Sequence, residues 1–444
     1  MEVRVKMVKS MEKALWRLCI LSCAFVVSGC GKGELPNTYV EGCDFQYMRQ
    51  GSADYVPEMQ KGEDGYYFRR GEFIYYLDEK TDTLLPLCNR ADCLHERETD
   101  GDRREACNAF VANEFERSNC RGIAYCNGYI YCLSIDSNAF HEKATLYRIA
   151  ADGSSKEQAF RWDDIVVEDW IIHRDTLFFV ERIHYFPSEH EEEESDEEIR
   201  DSFTIKKLKL TGSMEQPEAI YVLDEENVYY LGCNWFMAYG NYFYTIISGV
   251  IAMEDGSFDS YEKTFIYDMK KEVFYELTYD GMTQQEEILS VTFWQDRILF
   301  MPIIFDGRDL ETSYRRTGNI YIADLDGSNA EIFMEDVSMG YATRSDGRYL
   351  YLTNGTMVTM SDWGYWDYSE KKTFWVYDEE NELVDTFVLP EAVKDFGAPA
   401  IGDAERMYTI YQEDDGSWGV LRLDKSKIGS YHGAEIDFTV IPYE

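Results

Sequence analysis

The chain has 444 residues, with 84 acidic side chains against 43 basic ones and a formal charge of −41. A body this acidic repels phosphate backbones, which excludes nucleic acid as a partner and works against adhesion to an anionic membrane surface. Its 34 Tyr and 25 Phe with only 9 Pro favour strands, and no long stretch keeps a 3.6-residue apolar period, so an all-β body is expected.

The first 29 residues read as an export signal. Arg4, Lys6, Lys9, Lys13 and Arg17 form a basic region, and residues 18–27 form an apolar run of ten. That run is too short to span a bilayer as a helix, which takes about 20 residues. Val27-Ser28-Gly29-Cys30 follows and resembles the lipobox of bacterial lipoproteins. The resemblance implies that Cys30 becomes the mature N-terminus and carries a thioether-linked diacylglycerol with palmitate-type chains. Each buried methylene contributes about 0.8 kcal/mol to such an anchor. The protein is then expected at the cell membrane, lipid-anchored and facing outside the cytoplasm. Loss of residues 1–29 removes five basic and two acidic side chains, so the formal charge moves from −41 to −44. Residues 30–60 read as the lipidated tether and residues 61–444 as the body, which holds no second membrane segment.

One pattern recurs through the body: an apolar stretch, a tight polar turn, then aromatic and β-branched residues. Its seven copies cover residues 65–76, 123–131, 170–180, 235–246, 291–301, 341–352 and 400–411. Their turns centre near Gly71, Gly128, Asp175, Asn241, Arg297, Gly347 and Glu405, about 47 to 66 residues apart, which leaves room for four short strands per repeat. Second hairpins follow at 145–160, 264–277, 320–333 and 373–388. The expected fold is a β-propeller of seven blades, each with four antiparallel strands, with six or eight blades as variants and a β-sandwich array or β-helix as the alternative architecture. Asn127-Gly128 suits a two-residue hairpin turn, because both positions tolerate positive φ. Cys126 should then pair with Tyr129 and Ile123 with Cys132, which puts Cys126 and Cys132 on opposite faces.

Residues 318–329 (Gly-Asn-Ile-Tyr-Ile-Ala-Asp-Leu-Asp-Gly-Ser-Asn) and 345–352 (Ser-Asp-Gly-Arg-Tyr-Leu-Tyr-Leu) resemble repeats of TolB-like and WD40-like propellers. The chain as a whole is similar to a group of uncharacterised bacterial lipoproteins with a propeller body. That group also shows a Cys-x4-Cys-x-His…Cys-Asn-Ala element, present here as Cys88, Cys93 and His95 with Cys107-Asn108-Ala109 later. The resemblance implies a fold and a compartment, and no activity.

Outside the signal and Cys30, eight cysteines remain: Cys43, Cys88, Cys93, Cys107, Cys120, Cys126, Cys132 and Cys233. An even count outside the cytoplasm is consistent with disulfides, and Cys88 with Cys93 could close a tight loop. Cys88, Cys93, His95 and Cys107 also form a donor set for a closed structural zinc site, if the polar stretch from Glu96 to Ala106 loops back at Gly101. Disulfide, zinc and free thiols all stay open at this stage.

Motifs of catalysis are absent from the sequence. There is no Gly-x-Ser-x-Gly elbow, and neither His141-Glu142 nor His190-Glu191 has a second histidine at metalloprotease spacing. Two loops stand out instead. Trp363, Tyr365, Trp366 and Tyr368 put four rings into a polar stretch of the sixth repeat, a surface for stacking on a glycan or clasping a peptide. The loop at 187–202 carries eight acids between Glu189 and Glu198 and reads as a solvated charge run. The expected function is a non-catalytic, surface-tethered propeller that binds a glycan, a peptide or a partner protein. A polysaccharide-degrading enzyme or an envelope assembly scaffold are the alternatives.

Overall fold

Asn127 and Gly128 have φ of 48° and 78°, the pair of left-handed residues that a tight hairpin turn requires. The register follows as expected, with Ile123 opposite Cys132 and Cys126 opposite Tyr129. Cys126 then packs with Trp170, Ile172 and Leu177, whereas Cys132 packs on the other face with Tyr67, Ile74 and Cys107. This hairpin starts one of seven four-stranded antiparallel sheets in the computed structural model. It describes residues 35–46, 59–111, 122–138, 141–163, 166–185, 200–211, 216–224, 228–252, 258–288, 291–305, 314–316, 318–335, 337, 342–353, 373–388, 401–412 and 418–443.

Six of the seven are built from strands that follow one another in the chain, and in the fifth Pro302–Phe305 and Tyr314–Arg316 intervene between the second and third strands. The first blade holds Met59–Lys61, Gly65–Arg70, Phe73–Asp78 and Thr83–Pro86; the second, Ile123–Cys126, Tyr129–Asn138, His141–Ala150 and Lys156–Asp163. Val166–His173, Thr176–Tyr185, Arg200–Lys209 and Glu218–Asp224 make the third, and Val228–Tyr239, Tyr242–Ala252, Phe258–Asp268 and Val273–Glu276 the fourth. The fifth is Thr292–Trp294, Arg297–Phe300, Ile320–Asp324 and Glu331–Met334. Ala342–Ser345, Leu350–Thr353, Thr373–Tyr377 and Leu383–Val388 form the sixth, and Ile401–Gly402, Arg406–Gln412, Trp418–Asp424 and Thr439–Pro442 the seventh. Among the described residues the fold is a seven-bladed, all-β propeller with very little helix.

Two details differ from the sequence expectation. The hairpin at 65–76 supplies the second and third strands of its blade, because the innermost strand, Met59–Lys61, comes before it. Three residues are too few for any two-residue period to show. In the fifth blade the ladder breaks at Met301-Pro302, where Pro302 brings no N–H to the pairing. Glu286–Ile288, Pro302–Phe305 and Tyr314–Arg316 pair beyond that break as a separate three-stranded sheet.

Apolar clusters join each blade to the next. One links the second blade to the third through Leu133, Leu146, Trp170 and Phe179, and another joins the third, fourth and fifth through Phe178, Phe243 and Phe293. Trp294 and Leu299 of the fifth meet Leu350 and Leu352 of the sixth, whose Phe374 and Phe387 meet Leu423 of the seventh. The last junction returns to the start, where Tyr408, Val420 and Ile441 pack with Tyr66, Phe68 and Ile74. No described sheet mixes strands from the first and last blades, so side chains close the ring. The rings of Tyr66 and Tyr408 lie 4.3 Å apart, the Tyr66 hydroxyl donates to Asp403 at 3.1 Å, and Arg422 pairs with Asp82.

Residues 38–46, expected in the tether, pack on the body, and Thr38–Glu444 makes one compact unit. Asp44 is buried and takes a two-pronged hydrogen bond from Arg174, at 2.9 Å from Nε and 3.2 Å from Nη2. Arg174 also donates to Asn241 Oδ1 at 2.7 Å, tying this segment to the third and fourth blades at once. The fork geometry of arginine suits this arrangement, since one guanidinium also reaches the Thr38 carbonyl at 3.0 Å and so serves four acceptor atoms. Among the described residues, no helix is long and apolar enough to cross a membrane.

Candidate metal centre

The connection from the first blade to the second carries the cysteine element. After Pro86 the chain keeps one more ladder bond, Leu87 N–H to the Ile74 carbonyl, and then turns along the rim. A 3-10 turn at His95–Arg97 and a short helix at Gly101–Glu105 reverse its direction. Asp100 caps that helix by accepting from the Arg103 N–H at 3.1 Å, which satisfies one of the first-turn donors. The polar stretch therefore loops back, and Cys107 returns to Cys88.

Cys88, Cys93, His95 and Cys107 converge, with their ligand atoms all within 4.8 Å of one another. His95 Nδ1 lies 3.6 Å from the Cys107 sulfur. Tetrahedral zinc with ordinary Zn–S and Zn–N bonds needs an S···N edge of about 3.6 Å and S···S edges of about 3.8 Å. The Cys107–His95 edge already meets the first requirement, and the other edges, each at most 4.8 Å, need to close by no more than about 1 Å. Cys107 is fully buried and the other three ligands are half-buried. His95 adopts the left-handed region at φ 53°, a strained conformation for a histidine that its surroundings must hold.

Local electrostatics differ from one thiol to the next. Burial opposes ionisation of Cys88, but the backbone N–H groups of Arg90 and Asn108 and the thiols of Cys107 and Cys93 outweigh it and draw its pKa below the ordinary thiol value. Burial, helped by the Cys93 thiol, pushes Cys107 up to about 12, while the Ala109 N–H pulls the other way. Burial also lowers His95, which keeps its imidazole neutral and fit to be a ligand.

The second blade supports this loop from outside. Asn108 donates from Nδ2 to the Gly153 carbonyl at 2.8 Å, and the Asn89 N–H reaches the same carbonyl at 3.3 Å. Gly153 has φ 71°, and a Cβ there would lie 2.9 Å from the Cys88 nitrogen, so both backbone and space demand glycine. Lys156 Nζ donates to three carbonyls of the loop: Glu105 at 2.7 Å, Cys107 at 2.9 Å and Phe110 at 3.0 Å. Asn108 stands inside the sequence element, next to a ligand, which is a usable signal. Nothing in the sequence marks Lys156, whose position depends on the packing of one blade against another.

Among the described residues, no disulfide joins Cys43, Cys88, Cys93, Cys107, Cys126, Cys132 or Cys233. The Cys88–Cys93 disulfide weighed from the sequence is not formed, although the sulfurs are neighbours. Cys30 and Cys120 lie outside the described residues, as do the ring-bearing residues Trp363, Tyr365, Trp366 and Tyr368 and the eight acids of the 187–202 loop.

No protein-family model and no curated protein matches the chain. Solved structures do. The β-propeller domain of the Trilobed protease from Pyrococcus furiosus is 15% identical, over 68% of this chain and 80% of that one, with a TM-score of 0.39. Pyrococcus horikoshii acylaminoacyl peptidase is 16% identical, over 68% of this chain and only 44% of its own, with a TM-score of 0.39. Oligogalacturonate lyase in complex with manganese is 10% identical, over 85% of this chain and 89% of that one, with a TM-score of 0.45. No activity passes to this chain at such identities. The propeller assignment stands on its own sheet order and inter-blade clusters.

Proposed function

We propose that the chain is a surface-tethered, non-catalytic propeller, lipid-anchored through Cys30 outside the cytoplasm, that binds a glycan, a peptide or a partner protein. In this reading the Cys/His centre holds a structural zinc and belongs to the scaffold. Three thiolates and an imidazole fill a tetrahedral shell and leave no position for a reacting water.

One observation carries the binding role. The second and third strands of the sixth blade are paired as far as Thr353 and Phe374. Residues 354–372, which include Trp363, Tyr365, Trp366 and Tyr368, join these two paired strands along the chain, and connections between the strands of a scaffold commonly carry recognition residues. Aromatic rings supply large contact area with few rotors to immobilise, which suits sugars and extended peptides.

A glycan and peptide array probed with the soluble body tests this reading. Binding is expected, and Trp363→Ala with Trp366→Ala is expected to abolish it; unchanged binding by the double variant removes the loop from the account. The tether is tested separately by fractionation. Cys30→Ser is expected to move the protein from the membrane to the soluble fraction, and persistence at the membrane would contradict lipid anchoring.

A further inference from the structure

We infer that Cys88, Cys93, His95 and Cys107 bind one Zn2+ and that the metal-bound loop is the clasp that closes the propeller ring. The inference rests on the reading of the centre as structural and goes further, because it gives the metal a mechanical task.

The donor set selects the ion. Calcium and magnesium take oxygen ligands, whereas thiolates with one imidazole suit zinc and other thiophilic metals in tetrahedral geometry. Three thiolates around Zn2+ leave a net charge of −1. The N–H groups of Arg90 and Asn108 on Cys88 and of Ala109 on Cys107 meet part of it. Lys156, held on the Cys107 carbonyl, brings the only full positive charge that the described contacts place on the ligand-bearing backbone from the second blade. It is a positioning residue, which orients the returning strand of the loop and offsets the charge of the site.

The location suggests the task. The loop touches three blades that meet at the seam. Glu96, one residue from the His95 ligand, accepts from Tyr75 of the first blade and from the Tyr443 hydroxyl at the end of the seventh, the latter at 2.7 Å. Arg104 pairs with Glu72 of the first blade, and the Ile74 N–H donates to the Ala109 carbonyl at 2.9 Å. Asn108 and Lys156 connect the same loop to the second blade. Since the first and last blades share no described strand, an element that grips the first, second and seventh blades supplies cross-links that a shared strand would otherwise provide. Bound metal would hold the two ends of this loop, Cys88 and Cys107, in one shell and keep all three contacts in register.

The test uses the full body, purified under reducing conditions. Elemental analysis is expected to give one zinc per chain. Replacement by Co2+ is expected to give the visible and thiolate charge-transfer bands of a tetrahedral site. Cys107→Ser removes a core thiol and could impair folding, so Cys93→Ser, at a half-buried ligand, is the second variant. Cys233→Ser in the fourth blade is the control and should keep its zinc. Hydrogen exchange then reads the clasp: after chelation, or in Cys93→Ser, amides of residues 59–78 and 418–443 should exchange about tenfold faster, with residues 228–276 unchanged. Absence of stoichiometric zinc, a different metal in its place, or a disulfide within the four-residue set in protein isolated from its own compartment would overturn the site. Stoichiometric zinc with unaltered exchange at the seam would overturn the clasp. Failure of the array experiment alone bears on the partner-binding reading and leaves this one standing.

Discussion

Replacing Lys425 by methionine is expected to destabilise the protein by about 3–5 kcal/mol, the usual penalty for breaking a buried ion pair from one side. Lys425 is almost wholly buried at the start of a 3-10 turn, Lys425–Lys427, that follows the third strand of the seventh blade. Its ammonium pairs with Asp346 of the sixth blade and donates to the Asp403 carbonyl. Asp346 is buried too, and accepts from the Arg348 N–H at 2.9 Å, the Tyr349 N–H at 2.7 Å and the Tyr351 hydroxyl at 2.6 Å. Methionine would fill the space of the lysine stem but leave that carboxylate without a counter-charge. Urea unfolding followed by tryptophan fluorescence measures the loss. Adding Asp346→Asn to the variant should recover a substantial part, because the unpaired charge then disappears. A single variant within 1 kcal/mol of the parent would show that water or another cation already compensates Asp346.

Acid is expected to loosen the segment at 38–46 through His173. This histidine is fully buried, accepts from the Phe45 N–H at Nδ1 and donates from Nε2 to the Gly240 carbonyl, both at 2.9 Å. Both nitrogens are therefore satisfied in the neutral form, and a second proton would set Nδ1–H against the Phe45 N–H. Burial lowers its pKa from the ordinary 6.5 to about 4; Asp44 and the Gly240 carbonyl oppose that shift, and Arg174 and Lys209 add to it. The unfolded chain takes up its proton first as pH falls. Stability is thus complete above about pH 6.5 and lost progressively toward pH 4, by about 3 kcal/mol in all. Below pH 4 both states are protonated and the contribution stays level. His173→Gln keeps one acceptor and one donor without titrating. Its unfolding free energy should fall less than that of the parent between pH 6.5 and 4. Parallel pH profiles for parent and variant would assign the acid sensitivity elsewhere.

The same junction between the sixth and seventh blades holds a second buried carboxylate. Asp385 of the sixth blade accepts from the N–H groups of Gly429, Tyr431 and His432 in the seventh. Burial raises its pKa, but these bonds and one from Thr386 outweigh it and hold the carboxyl below the usual range. An acidic composition read as surface charge therefore also supplies interior staples, and composition alone does not say which acids serve there.

Much of the blade pattern was legible beforehand because it is local. Hairpins at 123–131, 170–180 and 235–246, and second hairpins at 264–277 and 373–388, appear where alternation and turn residues place them. Cys126 and Cys132 face apart because a two-residue turn leaves no freedom in register. The short innermost strand at Met59–Lys61 and the split of the fifth blade escaped, since three-residue strands carry too little pattern.

By itself, then, the sequence determined the positions of the longer strands, the turns, the alternation of faces and the identity of four metal-type donors, because each depends on residues close together in the chain. The tertiary structure decided which of those donors meet, how the ring closes, and that Lys425, His173, Arg174 and Lys156 are buried or engaged at junctions. Those partnerships join residues as far apart as Asp44 and Arg174, or Tyr66 and Asp403. The Tyr66–Asp403 pair forms only when the last blade packs against the first, and the Asp44–Arg174 pair only when the N-terminal segment docks on the third blade; no local preference along the chain encodes either contact.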